Sequence, residues 1–198
     1  MGDMGRPQDF RAPYPGLLEK WMPDPDAVPA VTPPSSVSPE AAAGIPLTND
    51  QCGFVQLPQN PSGGGYYTYG TPAHGAGQYG LPDTIGLIGR VAAQRTTQPF
   101  GVGNISLAQG GRFKPHKTHR DGAGVDIRPM RSDGAQAPSD WRTPGYDRAA
   151  TQRLIDAFRA TGMVRDIWFN DPAVKGVRPL KGHDNHFHVD VRSPCIKR

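Results

Sequence analysis

Apolar positions become periodic at residue 82. After Pro82-Asp83-Thr84, a combination suited to opening a helix, Ile85, Ile88, Val91 and Ala92 recur at helical spacing. A second and clearer helix is predicted over residues 147–161. There Ala150, Leu154, Ala157 and Phe158 share one face, and Gly162 supplies a stop. Short apolar runs predict strands over residues 101–107, 124–128 (ended by Pro129), 164–169 and 186–191. In the last of these, His186 and His188 share one face, about 7 Å apart at Cα, while Phe187 and Val189 point the other way into a core. Trp168 and Phe169 read as core, and Trp141 as a residue that lines a cleft. The order strand, strand, helix, strand, strand predicts an α+β domain rather than a doubly wound sheet.

Upstream of residue 82 the pattern is weaker. Residues 1–46 hold 10 prolines and few large apolar side chains, which predicts an extended, poorly ordered leader or linker over residues 1–50 and a folded domain over residues 51–198. Phe10, Tyr14, Leu17, Leu18, Trp21 and Met22 interrupt the leader, either as a docking segment or as incidental aromatics in a tail. Gly63-Gly64-Gly65-Tyr66-Tyr67-Thr68-Tyr69-Gly70 reads either as a substrate-contacting loop or as a strand pair joined by a glycine turn.

Composition narrows the class. A chain of 198 residues supports one domain with a core, and 25 Gly with 22 Pro predict many loops. No apolar run reaches membrane-spanning length, so no membrane insertion is expected. The first residues, Met1-Gly2-Asp3-Met4-Gly5-Arg6, do not read as a secretory signal or a myristoylation site. The net charge of +4 divides unevenly. Residues 1–50 carry 3 Lys/Arg against 7 Asp/Glu, and residues 51–198 carry 19 against 11, so the domain stands at +8. A basic domain suits an anionic target. With no nucleic-acid motif present, nucleic acid is not expected as a partner. Cys52 and Cys195 stand at the two ends of the domain, where a disulfide would close it. The other reading is two unpaired thiols, and their spacing does not suit zinc.

The chemistry lies in the histidines. Five of six fall in two clusters, Pro115-His116-Lys117-Thr118-His119-Arg120-Asp121-Gly122-Ala123-Gly124-Val125-Asp126 and Gly182-His183-Asp184-Asn185-His186-Phe187-His188-Val189-Asp190. Imidazole and carboxylate are the usual nitrogen and oxygen ligands of catalytic zinc. Gly122 and Gly124 permit a tight loop between His119 and Asp126. Those two residues plus one histidine of the last strand make the three protein ligands of such a site, with the fourth position left to water. Spacing does not rank His188 over His186 for that third place. Glu occurs only at Glu19 and Glu40, in the leader, so His-Glu-x-x-His chemistry and any glutamate base within the domain are excluded. The base must be His or Asp, and His186 has the best expected placement. His116, Asp121, His183 and Asp184 remain to orient ligands or bind substrate. Arg112, Arg120 and Arg128 are candidates for substrate carboxylates, with Arg128 read as ordinary surface charge. Asn104-Ile105-Ser106 matches a glycosylation sequon but reads as strand.

Taken in order, Gly110-Gly111-Arg112-Phe113-Lys114-Pro115-His116-Lys117-Thr118-His119, Val125-Asp126-Ile127 and Gly182-His183-Asp184-Asn185-His186-Phe187-His188-Val189 resemble the penicillin-insensitive murein endopeptidases, part of the wider lysostaphin, D-Ala-D-Ala metallopeptidase and hedgehog group. The resemblance covers residues 100–192 and not the leader. It implies a small antiparallel sheet with flanking helices and a metal site on one face. It implies one zinc ion per chain held by His119, Asp126 and His188, with His186 catalytic and His116 and His183 lining the site; His183 is also a catalytic candidate. The implied reaction is hydrolysis of peptide cross-links in bacterial peptidoglycan, which places the protein in the periplasm or outside the cell. Without a visible signal peptide, either the chain is trimmed or it reaches the wall by another route, for which a phage lysin or an injected effector fits. Residues 1–46 would then engage delivery machinery or an immunity protein. The alternatives are a D,D-carboxypeptidase or dipeptidase of the same group, and a non-catalytic wall-binding module with structural zinc.

Overall fold

An alternating strand has two faces of opposite character, so the segments around Asp126 and His188 must each turn one side to a core and the other to solvent or a site. The computed structural model describes residues 52–94 and 98–196, all within the unit Ile45–Arg198. In chain order the elements are β1 (Val55–Gln56), β2 (Tyr66–Thr68), β3 (Tyr79–Gly80), α1 (Pro82–Ala93), β4 (Phe100–Val102), β5 (Gly124–Ile127), α2 (Arg148–Ala160), β6 (Val164–Trp168) and β7 (Phe187–Val191). The expected leader and its aromatic segment lie outside the described residues.

The main sheet has five strands in the order β2-β4-β5-β7-β6. β4 with β5, β5 with β7 and β7 with β6 pair antiparallel, as expected, but β2 joins β4 in parallel, so the sheet is mixed. The reason is topological. Parallel neighbours need a long crossover, commonly containing a helix, and α1 lies in the connection between β2 and β4. Of the two readings of residues 63–70, the strand pair joined by a glycine turn does not form: β2 belongs to the main sheet, and β3 pairs with β1 in a separate two-stranded ribbon. The strand expected over residues 101–107 is shorter and earlier, Phe100–Val102. Residues 103 and 104 still bond to β5, through Gly103 N–H to Asp126 O (2.7 Å) and Asp126 N–H to Asn104 O (3.0 Å).

Both helices form where the periodicity places them. In α2, Asp147 caps the first turn by accepting from Ala150 N at 2.8 Å, and Gly162 follows the last turn at φ 71°, a left-handed stop that favours glycine. Leu154, Ile155 and Phe158 are buried, and Phe158 meets Phe100 and Phe187 edge-on at 5.7 and 6.1 Å between centroids. α1 contributes Leu87, Ile88 and Val91 to the same core. Val125, Ile127, Phe187 and Val189 have no exposed surface, so the apolar face of β5 and β7 is closed. Cys52 and Cys195 are bridged across a sequence separation of 143 residues. Among the described residues no helix is long and apolar enough to cross a membrane.

Candidate metal centre

The β5–β7 register sets Asp126 directly opposite His188 on the polar face of the sheet. Their side chains meet, Asp126 Oδ1 lying 2.9 Å from His188 Nδ1. His119 arrives from the loop between β4 and β5 and puts Nε2 3.0 Å from the same oxygen. All three residues are buried. The two glycines expected to permit a tight loop have separate roles. Gly122 adopts φ 71°, a turn conformation. Gly124 is needed because the His188 imidazole lies over it: a Cβ there would stand 2.7 Å from both Cε1 and Nε2 of the ring.

The far side of each imidazole is already engaged. His119 Nδ1 lies 2.9 Å from the carbonyl oxygen of Ile105, and His188 Nε2 lies 3.3 Å from Asp190 Oδ1. Each of those nitrogens therefore carries a hydrogen and donates it. This leaves a lone pair on His119 Nε2 and another on His188 Nδ1, both facing a carboxylate oxygen. Two lone pairs that each face the same carboxylate oxygen, at 3.0 and 2.9 Å, require a cation or an added proton beside it. Without an ion, His188 takes the proton: burial opposes its charge, but hydrogen bonds to Asp126 and Asp190 prevail and raise its pKa to about 9. Burial likewise opposes ionisation of Asp126, and hydrogen bonds to His119 and His188 overcome it and hold its carboxyl far below the usual range. The donor types, two imidazole nitrogens and one carboxylate oxygen backed by outer acceptors, are ones that divalent metals use.

His116 is the other residue within reach. The ligand atoms of His116, His119 and Asp126 all lie within 4.8 Å of one another, so this group is able to hold a metal ion. His116 is tied differently from the other two. Asn104 Oδ1 accepts from Thr71 N at 2.6 Å, which turns its amide nitrogen toward His116 Nε2 at 2.7 Å. That nitrogen is therefore an acceptor whose lone pair is in use. The His116 ring stands edge-on to His119 at 4.5 Å, and burial together with His119 lowers its pKa.

His186 lies just before β7 and half-buried. Its Nδ1 faces Asn185 Oδ1 at 2.8 Å, which leaves Nε2 free as an acceptor 3.7 Å from Asp126 Oδ1. Burial lowers its pKa against the pull of Asp126, so the ring is neutral at neutral pH. His183 packs on His186 at 4.7 Å, with its pKa lowered by burial and by His188. All five clustered histidines thus form one continuous patch.

Two hollows flank the patch. One is lined by His116, Asp126, His186, Asn104, Tyr69 and Arg128. The other is lined by His183, His188, Asp190, Lys117, Arg120 and Asp121. Arg120 and Asp121 line the second hollow, and Asp121 also accepts from Ala123 N at 3.1 Å. Arg112 is exposed and lines neither hollow. Arg128, read as surface charge, lines the first.

Four residues differ from the sequence reading or go beyond it. Asp190 continues the His186, His188 alternation and turns and holds the His188 ring. Asn104, taken as plain strand, orients His116. Phe169 is core as expected, but Trp168 is only partly buried, and its Nε1 donates to Asp190 Oδ2 at 3.0 Å. Trp141 lines neither hollow. Its Nε1 donates to Asp184 Oδ1 at 3.0 Å, where Asn170 Nδ2 also donates at 3.1 Å, fixing the loop that carries His183 and His186. The alternation was signal enough for Asp190; a backbone acceptor such as Ile105 O leaves no trace in side-chain chemistry.

No family model matches the chain. A search of curated proteins finds 26% identity over 151 residues with the penicillin-insensitive murein endopeptidase of Yersinia enterocolitica, covering 59% of this chain and 54% of that protein. The chain is similar to a murein endopeptidase. It spans about half the length of that relative. The likeness to the penicillin-insensitive endopeptidases agrees with the one read from the two histidine motifs.

Proposed function

We propose that the domain is a zinc-dependent hydrolase of peptide cross-links in bacterial peptidoglycan, with His119, Asp126 and His188 as the metal ligands. The observation that carries this reading is the convergence of two imidazole lone pairs, each ring hydrogen-bonded on its far side, on one carboxylate oxygen. His188 is favoured over His116 because Asn104 occupies the His116 lone pair. Bound zinc would supply Lewis acidity toward water and a scissile carbonyl. The chain supplies the rest. His186, neutral and open at Nε2, is placed to take a proton from attacking water and return it to the leaving amine. His183 packs against it and limits its motion. The hollows on either side leave room for chain on both sides of a cut, which suits a cross-link. The wall lies outside the cytoplasm, and the Cys52–Cys195 bridge fits an oxidising compartment there.

Digestion of purified sacculi tests the reading. Wild-type protein with one zinc per chain should release uncross-linked muropeptides from dimers, and chelation should stop it. His188→Ala should lose the metal. His186→Ala should keep it yet lose turnover by at least about 100-fold. Retained digestion by chelated protein would refute the mechanism, and trimming of monomers alone would make the enzyme a carboxypeptidase.

A further inference from the structure

The hollow beside Asp126 has an unusual wall. Strand β4 carries glycine at 101 and Gly103 follows its end, and the aromatic rings of Tyr67 and Tyr69 lie over these positions. A Cβ on Gly101 would stand 2.7 Å from Tyr67 Oη, and one on Gly103 2.7 Å from Tyr69 Oη. Arg128 follows β5, two residues beyond Asp126 and so on the same face of the sheet. Its guanidinium carbon lies 3.8 Å from the Tyr69 ring centre and 5.8 Å from that of Tyr67. Arg131, Arg142, Arg148, Arg165 and Arg178 all pair with aspartates. Arg128 has no ion-pair partner among the described residues. The Tyr69 hydroxyl is buried without a hydrogen-bond partner. Folding stability does not explain an unpaired cation fixed on a tyrosine whose own hydroxyl is unsatisfied.

We propose that Arg128, held against Tyr69, binds a free carboxylate on the substrate residue that provides the leaving amine. A guanidinium stacked on an aromatic face keeps its N–H edge open, and that edge matches a carboxylate in two parallel hydrogen bonds. Arg128 shares the hollow with Asp126, His116 and His186, so the carboxylate would be held next to the scissile bond. The substrate class is then a peptide whose leaving residue bears its own α-carboxylate. A chain-terminal D-amino acid meets this requirement, and so does a diamino acid cross-linked through the amine beside its second carboxylate. The proposal rests on the hydrolase reading but is separable from it.

The test uses zinc-loaded full-length protein and two pairs of ligands: an acyl-D-Ala-D-Ala peptide with its C-terminal amide, and a cross-linked muropeptide dimer with the form amidated at the carboxylate beside the link. Calorimetric binding and KM are both read. Wild type should favour the free acid by about 10- to 100-fold in at least one pair, and the preferred pair identifies the source of the carboxylate. Arg128→Gln should bring that ratio close to one by weakening the acid alone, with metal content unchanged. Arg128→Lys should recover only part of it. Tyr69→Ala should reduce the ratio, and Tyr69→Phe should restore most of it through the ring. Equal binding of acid and amide by wild type, no binding of either, or an equal loss of both in Arg128→Gln would overturn the subsite. Protein that digests sacculi yet ignores the carboxylate overturns the subsite alone. Protein that digests nothing but still prefers the acid overturns the hydrolase reading and leaves the subsite standing.

Discussion

Asp126 and Asp171 are both buried aspartates, and their surroundings are opposite. Asp171 faces donors: Tyr146 Oη and Arg148 Nε at 2.8 Å each on Oδ2, and Ala173 N at 3.0 Å on Oδ1. Its negative charge is answered by the protein alone. Oδ1 of Asp126 faces two imidazole rings, each with its hydrogen spent from the other ring nitrogen, on Ile105 O and on Asp190. Its charge is answered only when a cation or a proton is added. Burial of a carboxylate is expensive in either place. At Asp171 the arrangement completes the fold, and at Asp126 it leaves a charge for a cation or a proton to balance. Buried charge therefore marks a site only when its neighbours are acceptors.

Substitutions sharpen this contrast. Asp126→Asn should have the largest effect, lowering zinc to near zero per chain and wall digestion by more than about 100-fold, as read by elemental analysis and muropeptide release. The metal-free variant should melt below metal-free wild type at neutral pH, because it loses the carboxylate that the protonated His188 ring pairs with. Next, Asp190→Asn should weaken zinc affinity by about 10- to 100-fold, measured by competition with a chelator, since it removes the acceptor that orients His188. Asp171→Asn should leave zinc content unchanged and lower Tm by about 4 °C at neutral pH. At Asp171 burial raises the pKa, but hydrogen bonds from Arg148, Ala173 and Tyr146 outweigh it, and the net shift is downward. Its stabilising contribution is therefore present above the unfolded carboxylate range and is lost as pH falls through the folded pKa. The melting difference between wild type and Asp171→Asn should close on acidification. Tyr69→Phe should give the smallest change, a gain of about 1 kcal/mol in a denaturant melt, because it removes an unsatisfied hydroxyl.

Much of this was readable in the sequence where the signal is local. Val125-Asp126-Ile127 and Phe187-His188-Val189 announce two-faced strands, and Asp147 and Gly162 bound α2 to within a residue. The glutamate-free domain narrowed the base to His or Asp. Long-range pairing was not readable: nothing in Tyr66–Thr68 says that it runs parallel to Phe100–Val102, more than 30 positions away. The site was only partly visible for a related reason. Residue type shows that His119 and His116 are able to bind metal, but it does not show that one donates to a main-chain carbonyl while the other accepts from an amide. Arg128 lies at the same two-residue spacing from Asp126 as Asp190 does from His188. Both followed from the strand period and went unused, because charge at a strand end resembles ordinary surface.

The bridge between Cys52 and Cys195 spans nearly the whole described domain. Closing a loop of that size removes about 5 kcal/mol of chain entropy from the unfolded state on the simplest account, comparable with the entire margin by which many domains stay folded. Thiol chemistry in the surrounding medium would then govern how long the domain survives. A freshly made, reduced copy would be fragile, and an oxidised one durable.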